Sequence, residues 1–392
     1  MKENYKDLFL LKKNLIFLNH GSFGSCPKIV FKAYQDWQLK LEKQPVAFLD
    51  QSRDFISYMK NVRMSLSKEL NVQSNDLVGV MNATAGLNAV AQSISLKEGD
   101  EILTSDHEYA ALEKTWNYVA RMKKVKIVIA NVPLTLISED KFVDTFKKKM
   151  NKKTKILFIS HITSPTSLVF PLKRLIKEAN KRNIISIIDG AHAPGHIKLN
   201  ITDLKADFYS GNCHKWMMAP KGSAFLWANK NKKNILEPLI ISHGWLPNNY
   251  KSSQKGDFGN NRFIDSFEVQ GTRDPASWLA VLDAIKFINN KNYSKAFNYS
   301  SKLAYETATK ITKLTKVPLL AKKKFLAPQM ISIPIPDCNI CKVKQQLLKK
   351  FNIEIPIIRW NNRFFVRISI QIYNTKEDAN KLIEALKIIF KL

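Results

Sequence analysis

Cysteine is scarce in this 392-residue chain: four residues, at positions 26, 213, 338 and 341, cannot staple a disulfide framework. That usage points to a reducing compartment, and a cytoplasmic protein is expected. Long apolar runs are missing as well. No stretch approaches the roughly 18 apolar residues of a membrane span, and the apolar run in MKENYKDLFLLKKN is too short between its charges for a secretory signal. No membrane partner is expected. Arginine is the third shortage, with only ten among the 62 basic residues. Specific nucleic-acid binders concentrate arginine and stacking aromatics on one face, whereas here lysines are scattered and the runs Lys147 to Lys149 and Lys322 to Lys324 border helical or loop patterns. The formal net charge of +29 therefore reads as a solvated, lysine-biased surface that draws anions, with no specific nucleic-acid partner.

What is present is enough to fold. At about 150 residues per domain the length allows two or three domains, and 45% hydrophobic residues exclude a disordered chain. Apolar runs of strand length recur at LVGVM (77–81), EILTS (101–105), KIVIANV (126–132), KILFISHI (155–162), IISIID (184–189), DFYS (207–210) and SAFLW (223–227). Segments such as SEDKFVDTFKKKM (138–150) and LKRLIKEANKRN (172–183) lie between them, with apolar residues three or four apart. This βαβ rhythm predicts an α/β fold with a mostly parallel sheet covered by helices on both faces. After residue 275 the rhythm changes. A helical region (276–316) precedes a strand-like FFVRISI (364–370) and a final helix opened by Asn374-Thr375. The expected organisation is an amino-terminal segment (1–25) at the junction of two domains, a large domain (26–275) and a smaller carboxy-terminal α+β domain (276–392).

In open α/β sheets, ligands bind beyond the carboxyl ends of the strands. The residues there form a polar set: Asn82-Ala83-Thr84-Ala85-Gly86, Asp106-His107-Glu108-Tyr109, Thr163-Ser164-Pro165-Thr166, Asp189-Gly190-Ala191-His192 and Cys213-His214-Lys215-Trp216. Gly86, Gly190, Gly195 and Gly211, of only 13 glycines, fall in or beside these polar segments, where a ligand needs close backbone approach. Asp189 ends a strand expected to be buried, and a buried carboxylate needs a cationic partner. Lys215 follows in a neighbourhood rich in aromatic and sulfur residues, SGNCHKWMM, where desolvation favours the uncharged, nucleophilic amine. Thr84-Ala85-Gly86, opening a helix, offers N–H groups and a hydroxyl to a phosphate. An imine-forming lysine, an acid for a ring nitrogen and a helix amino terminus for a phosphate are what pyridoxal phosphate demands.

The motifs FLNHGSFGSCP, NATAGLNAV, DHEYAALE, SHITSPTSLVFP, IIDGAHAPG, DFYSGNCHKWMMAPKGSAFLW, FEVQGTRDPASWLAV and VRISIQIYNTKEDANKL span nearly the whole chain. They resemble the class V aminotransferases of fold-type-I pyridoxal-phosphate enzymes, and within them the isopenicillin N epimerase group, related to the cysteine desulfurases. The resemblance implies a large domain with a seven-stranded sheet and a homodimer with shared sites. It makes Lys215 the Schiff-base lysine and Asp189 the partner of the pyridinium nitrogen, with His107 stacked on the ring and Ser164 and His192 near the phenolic oxygen. Thr84, Ala85, Gly86, Asn212 and His214 would hold the phosphate, joined by Thr272 from the neighbouring subunit. Arg367 would bind the substrate carboxylate, with Gly21 and Ser22 beside the substrate.

Desulfurases carry a nucleophilic cysteine shortly before that arginine, and IEIPIIRWNNRFF has none. Cys338 and Cys341 lie upstream and read as two thiols. His192 and His196 are separated by Pro-Gly, which denies them a shared helix face, so no metal site is expected. The implied activity is chemistry at the Cα of an amino-acid-like substrate. Epimerisation is favoured, while C–S elimination (desulfurase-like or sulfoxide lyase) and transamination stay open. A non-catalytic basic binding protein on the same fold is the competing class.

Overall fold

The computed structural model describes residues 5–247 and 255–392. Twelve strands occur among them: β1 Ile16–Phe17, β2 Leu77–Val80, β3 Glu101–Ser105, β4 Lys126–Ala130, β5 Thr154–Ser160, β6 Ile185–Asp189, β7 Phe208–Asn212, β8 Ala224–Ala228, β9 Met330–Ile335, β10 Ile353–Glu354, β11 Ile357–Trp360 and β12 Arg363–Ser369. The seven apolar runs of the large domain become β2 to β8, in one sheet ordered β2-β8-β7-β6-β5-β3-β4. β8 runs antiparallel to both its neighbours and the remaining pairs are parallel.

The continuous apolar character of these strands has a direct cause. Leu103, Leu157, Ile159 and Ile188 point into one core, and their chain neighbours Ile102, Ile156, Phe158 and Ile187 point into another on the opposite face. With a side-chain period of two, a strand buried on both faces must be apolar at every position. The covering helices start where a polar side chain satisfies the first free amides. Asn82 accepts from Ala85 N to open Ala83–Ser93, and Ser138 accepts from Lys141 N to open Glu139–Lys147.

The small domain packs the antiparallel sheet β11-β12-β9 against helices Lys291–Thr315, Ile340–Phe351 and Lys376–Phe390. The last of these is opened by a capping box of Thr375 and Asp378. β1 pairs in parallel with β10, and Leu18 lies in the small-domain core. No helix among the described residues is long and apolar enough to cross a membrane.

The region read as one helical stretch from 276 is three helices: Ala276–Leu279, Val281–Ile288 and Lys291–Thr315. Trp278, Leu279, Val281, Ala284 and Ile285 belong to the large-domain core, where they pack against helices Lys28–Lys43 and Phe55–Leu70. Asn290 caps the third helix, whose residues Leu303, Ala304, Ala308 and Ile311 join the core beneath β9 and β12.

Candidate active site

The sheet register aligns the carboxyl ends of three neighbouring strands, pairing Ser160 with Asp189 and Asp189 with Ser210. Asp189 is buried, its Oδ1 accepting from Ala191 N at 2.9 Å. Burial raises its pKa above the ordinary carboxylate range, opposed by that amide and by the charge of Lys215. A buried acid so placed is stabilised by a cation brought against it.

Lys215 leaves β7 through Cys213-His214 and is half-buried. Its Nζ lies 3.1 Å from His192 Nε2. Burial lowers the amine to about 7; Arg367 acts in the same direction and Asp189 opposes it. An amine near neutrality can lose and regain a proton at working pH, as a nucleophile or general base must. The backbone carrying it is clamped from the amino-terminal segment. Gly24, at φ 72°, presses so closely on it that a Cβ there would lie 2.0 Å from the His214 carbonyl oxygen. His20 Nε2 donates to the Lys215 carbonyl at 3.0 Å, and its Nδ1 accepts from the Tyr373 hydroxyl at 3.0 Å.

Arg367, on β12, is buried and reaches across from the small domain. Nη1 donates to the Ser164 carbonyl and hydroxyl, Nη2 donates to the Ser22 hydroxyl at 3.1 Å, and Nε has no partner. Ser164 is thus held beside the arginine. Gly21 is buried where a side chain would collide with Met330, Ser369 and Trp216.

At the start of helix Ala83–Ser93 most amides are already engaged. Ala83 N donates to Asn212 Oδ1 at 2.8 Å, Ala85 N to Asn82 Oδ1 at 2.8 Å, and Gly86 N to the Asn82 carbonyl at 3.3 Å. The half-buried Thr84 keeps its amide and hydroxyl available. Asn82 thus engages the amides of Ala85 and Gly86, and Asn212 gives its amide oxygen to the helix start. His214 donates through Nδ1 to the Ser223 carbonyl at 3.1 Å, and burial lowers it to about 4. A phosphate dianion beside its Nε2 would supply the field that draws a proton onto the ring.

His107 is fully buried, with Nδ1 2.7 Å from the Thr166 hydroxyl and Nε2 making no hydrogen bond, 3.6 Å from Asp106 Oδ1. Its ring lies 4.3 Å from that of Trp360, at 33°. Trp360 comes from the β11–β12 hairpin and also donates to the Asp106 carbonyl at 2.7 Å. The contact was not foreseen, because nothing local to RWNNRF indicates which large-domain loop the hairpin meets.

Thr272 stands apart. It is exposed on a loop near Leu49, His243 and Arg273, and this chain does not bring it to Lys215. Cys338 is half-buried at the edge of the small-domain core and Cys341 is exposed. His20, Tyr373 and Trp360 are the site neighbours that motif reading missed; only the FLNHGSFGSCP run carried a signal for the first.

The residues present fit pyridoxal phosphate: a buried acid in need of a cation, a near-neutral amine, an open amide and hydroxyl at a helix start, and an arginine fork with an unpartnered Nε. A family model described as "Aminotransferase class-V" matches residues 17–382. The isopenicillin N epimerase of Amycolatopsis lactamdurans is 31% identical over 387 residues, covering 95% of this chain and 95% of that protein. A probable chloroplastic L-cysteine desulfhydrase of Arabidopsis thaliana is 26% identical over 94% of this chain and 82% of its own. Among solved structures, the apo cysteine desulfurase of Thermococcus onnurineus NA1 aligns with a TM-score of 0.81 at 20% identity, over 100% of this chain and 98% of that one.

Proposed function

The chain belongs to the class-V aminotransferase family of pyridoxal-phosphate enzymes, and from that premise we propose that it is an epimerase acting at the Cα of an amino-acid-like substrate. The observation that carries this reading is the pairing of one near-neutral amine, Lys215, with one buried guanidinium, Arg367, whose Nε is unpartnered. Arg367 fixes the substrate carboxylate through its fork and so orients the Cα bonds. Lys215 is the amine that holds the cofactor and, once released by substrate, takes the Cα proton. When bound, the cofactor supplies a protonated aromatic ring that accepts the electron pair left at Cα. Asp189 would partner that ring nitrogen, Thr84 and His214 would hold the phosphate, and His107, one face of which meets Trp360, would border the cofactor ring.

Similarity to the isopenicillin N epimerase favours epimerisation. The absence of cysteine from IEIPIIRWNNRFF weighs against persulfide formation on the enzyme. A C–S lyase is the second reading, favoured by the similarity to the L-cysteine desulfhydrase. The protein acts as a homodimer in which Thr272 of each chain completes the phosphate site of the other.

The test is incubation of the cofactor-loaded protein with a panel of L-amino acids and sulfur-containing analogues in deuterated water. Epimerisation gives deuterium at Cα and the D-enantiomer without keto acid. Pyruvate with sulfide marks the lyase, and conversion of the cofactor to its amine form marks transamination. If mass spectrometry after borohydride reduction finds no pyridoxyl adduct on Lys215, the role given to this amine is wrong.

A further inference from the structure

The Lys215 amine is faced by Asp189 at the end of β6, His192 in the following turn, Arg367 on β12 and the adjacent His214. Among the described residues, His192 alone makes a side-chain hydrogen bond to Nζ. What His192 does to the amine depends on where its own proton sits. An indole N–H donates and never accepts. Trp216 Nε1 lies 3.3 Å from His192 Nδ1, so Nδ1 is the acceptor and the proton of the neutral ring is on Nε2. That Nε2–H points at Lys215 Nζ, and only an uncharged amine has a lone pair to receive it.

We propose that Trp216 is a positioning residue that fixes His192 as its Nε2–H tautomer and thereby holds Lys215 as the free base. The inference deepens the reading above and rests on Lys215 being the reactive amine.

The surroundings are built to hold this arrangement. The His196 ring lies flat on Trp216, with centroids 3.8 Å apart at 14°. His196 Nε2 accepts from Gln329 N at 3.1 Å, so its proton is on Nδ1, which donates to the His192 carbonyl at 3.1 Å. His192 is therefore gripped by its ring through Trp216 and by its backbone through His196. Gly195, at φ 74°, lets the turn close onto Trp216, where a Cβ would stand 2.6 Å from the carbonyl carbon. His192, His196 and Trp216 are each at most 2% exposed. Burial and the neighbouring charge of Arg367 keep His192 neutral, and His196 and His214 are held neutral mainly by burial. Arg367 thus also disfavours an ammonium at Lys215, while Asp189 alone favours one. Plain packing would need the indole's bulk; the tautomer needs its N–H.

The test uses the full chain without cofactor, and two measurements. In histidine-¹⁵N-labelled protein, with His192 assigned through His192→Gln, the His192 Nδ1 resonance is expected in the unprotonated range throughout the neutral region, with Nε2 protonated. In parallel, trinitrobenzenesulfonate labelling of Lys215, quantified by peptide mass spectrometry against pH, is expected to show a midpoint near 7. In Trp216→Phe the two tautomers should mix. The labelling midpoint should rise by about one pH unit, a roughly fivefold slower reaction at neutral pH, with near-ultraviolet dichroism otherwise native. An Nδ1–H tautomer or an imidazolium in the wild type overturns the proposal, as does an unmoved midpoint in a folded Trp216→Phe. Should that variant not fold, the wild-type resonance decides. Failure here leaves the borohydride adduct on Lys215 untouched, whereas failure of the functional reading removes the adduct without altering the tautomer.

Discussion

Arg367 Nη1 is bonded to both oxygens of Ser164, at 2.6 Å to the carbonyl and 3.2 Å to the hydroxyl, tying the small-domain strand β12 to the loop after β5. The guanidinium is thereby aimed before any substrate arrives, and its unpartnered Nε and the Nη2 at Ser22 form the remaining edge of the fork. Arg367→Lys keeps a charge but loses that geometry. Charge-assisted hydrogen bonds contribute about 1.5–3 kcal/mol each, so KM for the preferred amino acid should rise roughly 10- to 100-fold. Cofactor absorbance should stay near wild type, and loss of colour in this variant would contradict the assignment.

Asp189 and Arg367 act on Lys215 in opposite directions, Asp189 favouring the ammonium and Arg367 the free amine. Asp189→Asn keeps the shape and removes the charge. Turnover should fall by about 10²- to 10³-fold, the range for loss of one preorganised electrostatic group. The pH midpoint for trinitrobenzenesulfonate labelling of Lys215 in the cofactor-free chain should fall as well. A midpoint that rises instead would mean that Asp189 does not act on this amine through its charge.

Glu108 sits fully buried behind Asp189, accepting from the Ser105 hydroxyl, from the Ser160 hydroxyl at 2.5 Å and from Ser160 N at 2.9 Å. Burial outweighs these donors and raises the acid from 4.5 to about 8, with Asp189 adding to the rise. Between those values the folded chain keeps a proton that the unfolded chain has released, so rising pH favours unfolding. The stabilisation is complete below about 4.5 and is lost as pH climbs through about 8. Glu108→Gln removes the titration. Its Tm should fall less than that of the wild type across this window; equal slopes would show that Glu108 does not titrate there.

The sheet was legible because burial on both faces leaves a local mark, an unbroken apolar run such as IISII before Asp189. Strand direction leaves none, and AFLWA reads the same whether β8 runs parallel or antiparallel. The same limit holds at helix Val281–Ile288, which carries an apolar stripe, but a stripe does not say which core it packs on. Residues in the polar strand ends were found because chemistry and position coincide there. The hydrogen bonds that consume Ala85 N and Asn212 Oδ1 were invisible, since capping geometry and tertiary contact decide them. The meeting of Trp360 with His107 joins residues 253 positions apart, and no periodicity encodes it.

Thr272 supplies the prediction that reaches beyond one chain. Its hydroxyl lies on an exposed loop, next to Gly271 at φ 91° and beside Ser242. The residues just before Ser242, Leu239, Ile240 and Ile241, are 46%, 52% and 59% exposed, an apolar run that a second copy would cover. If Thr272 completes the partner's phosphate site, Thr272→Ala should weaken cofactor binding by about tenfold, the loss of one charge-assisted hydrogen bond. Lys215→Ala should abolish the covalent cofactor adduct outright. Co-expression of the two variants then places one Lys215 opposite one intact Thr272 in every mixed dimer. Wild-type cofactor affinity should reappear in that fraction, measured by cofactor titration of mixed dimers isolated with two different affinity tags. Mixed dimers that bind as weakly as Thr272→Ala alone would show that this hydroxyl does not serve the neighbouring site.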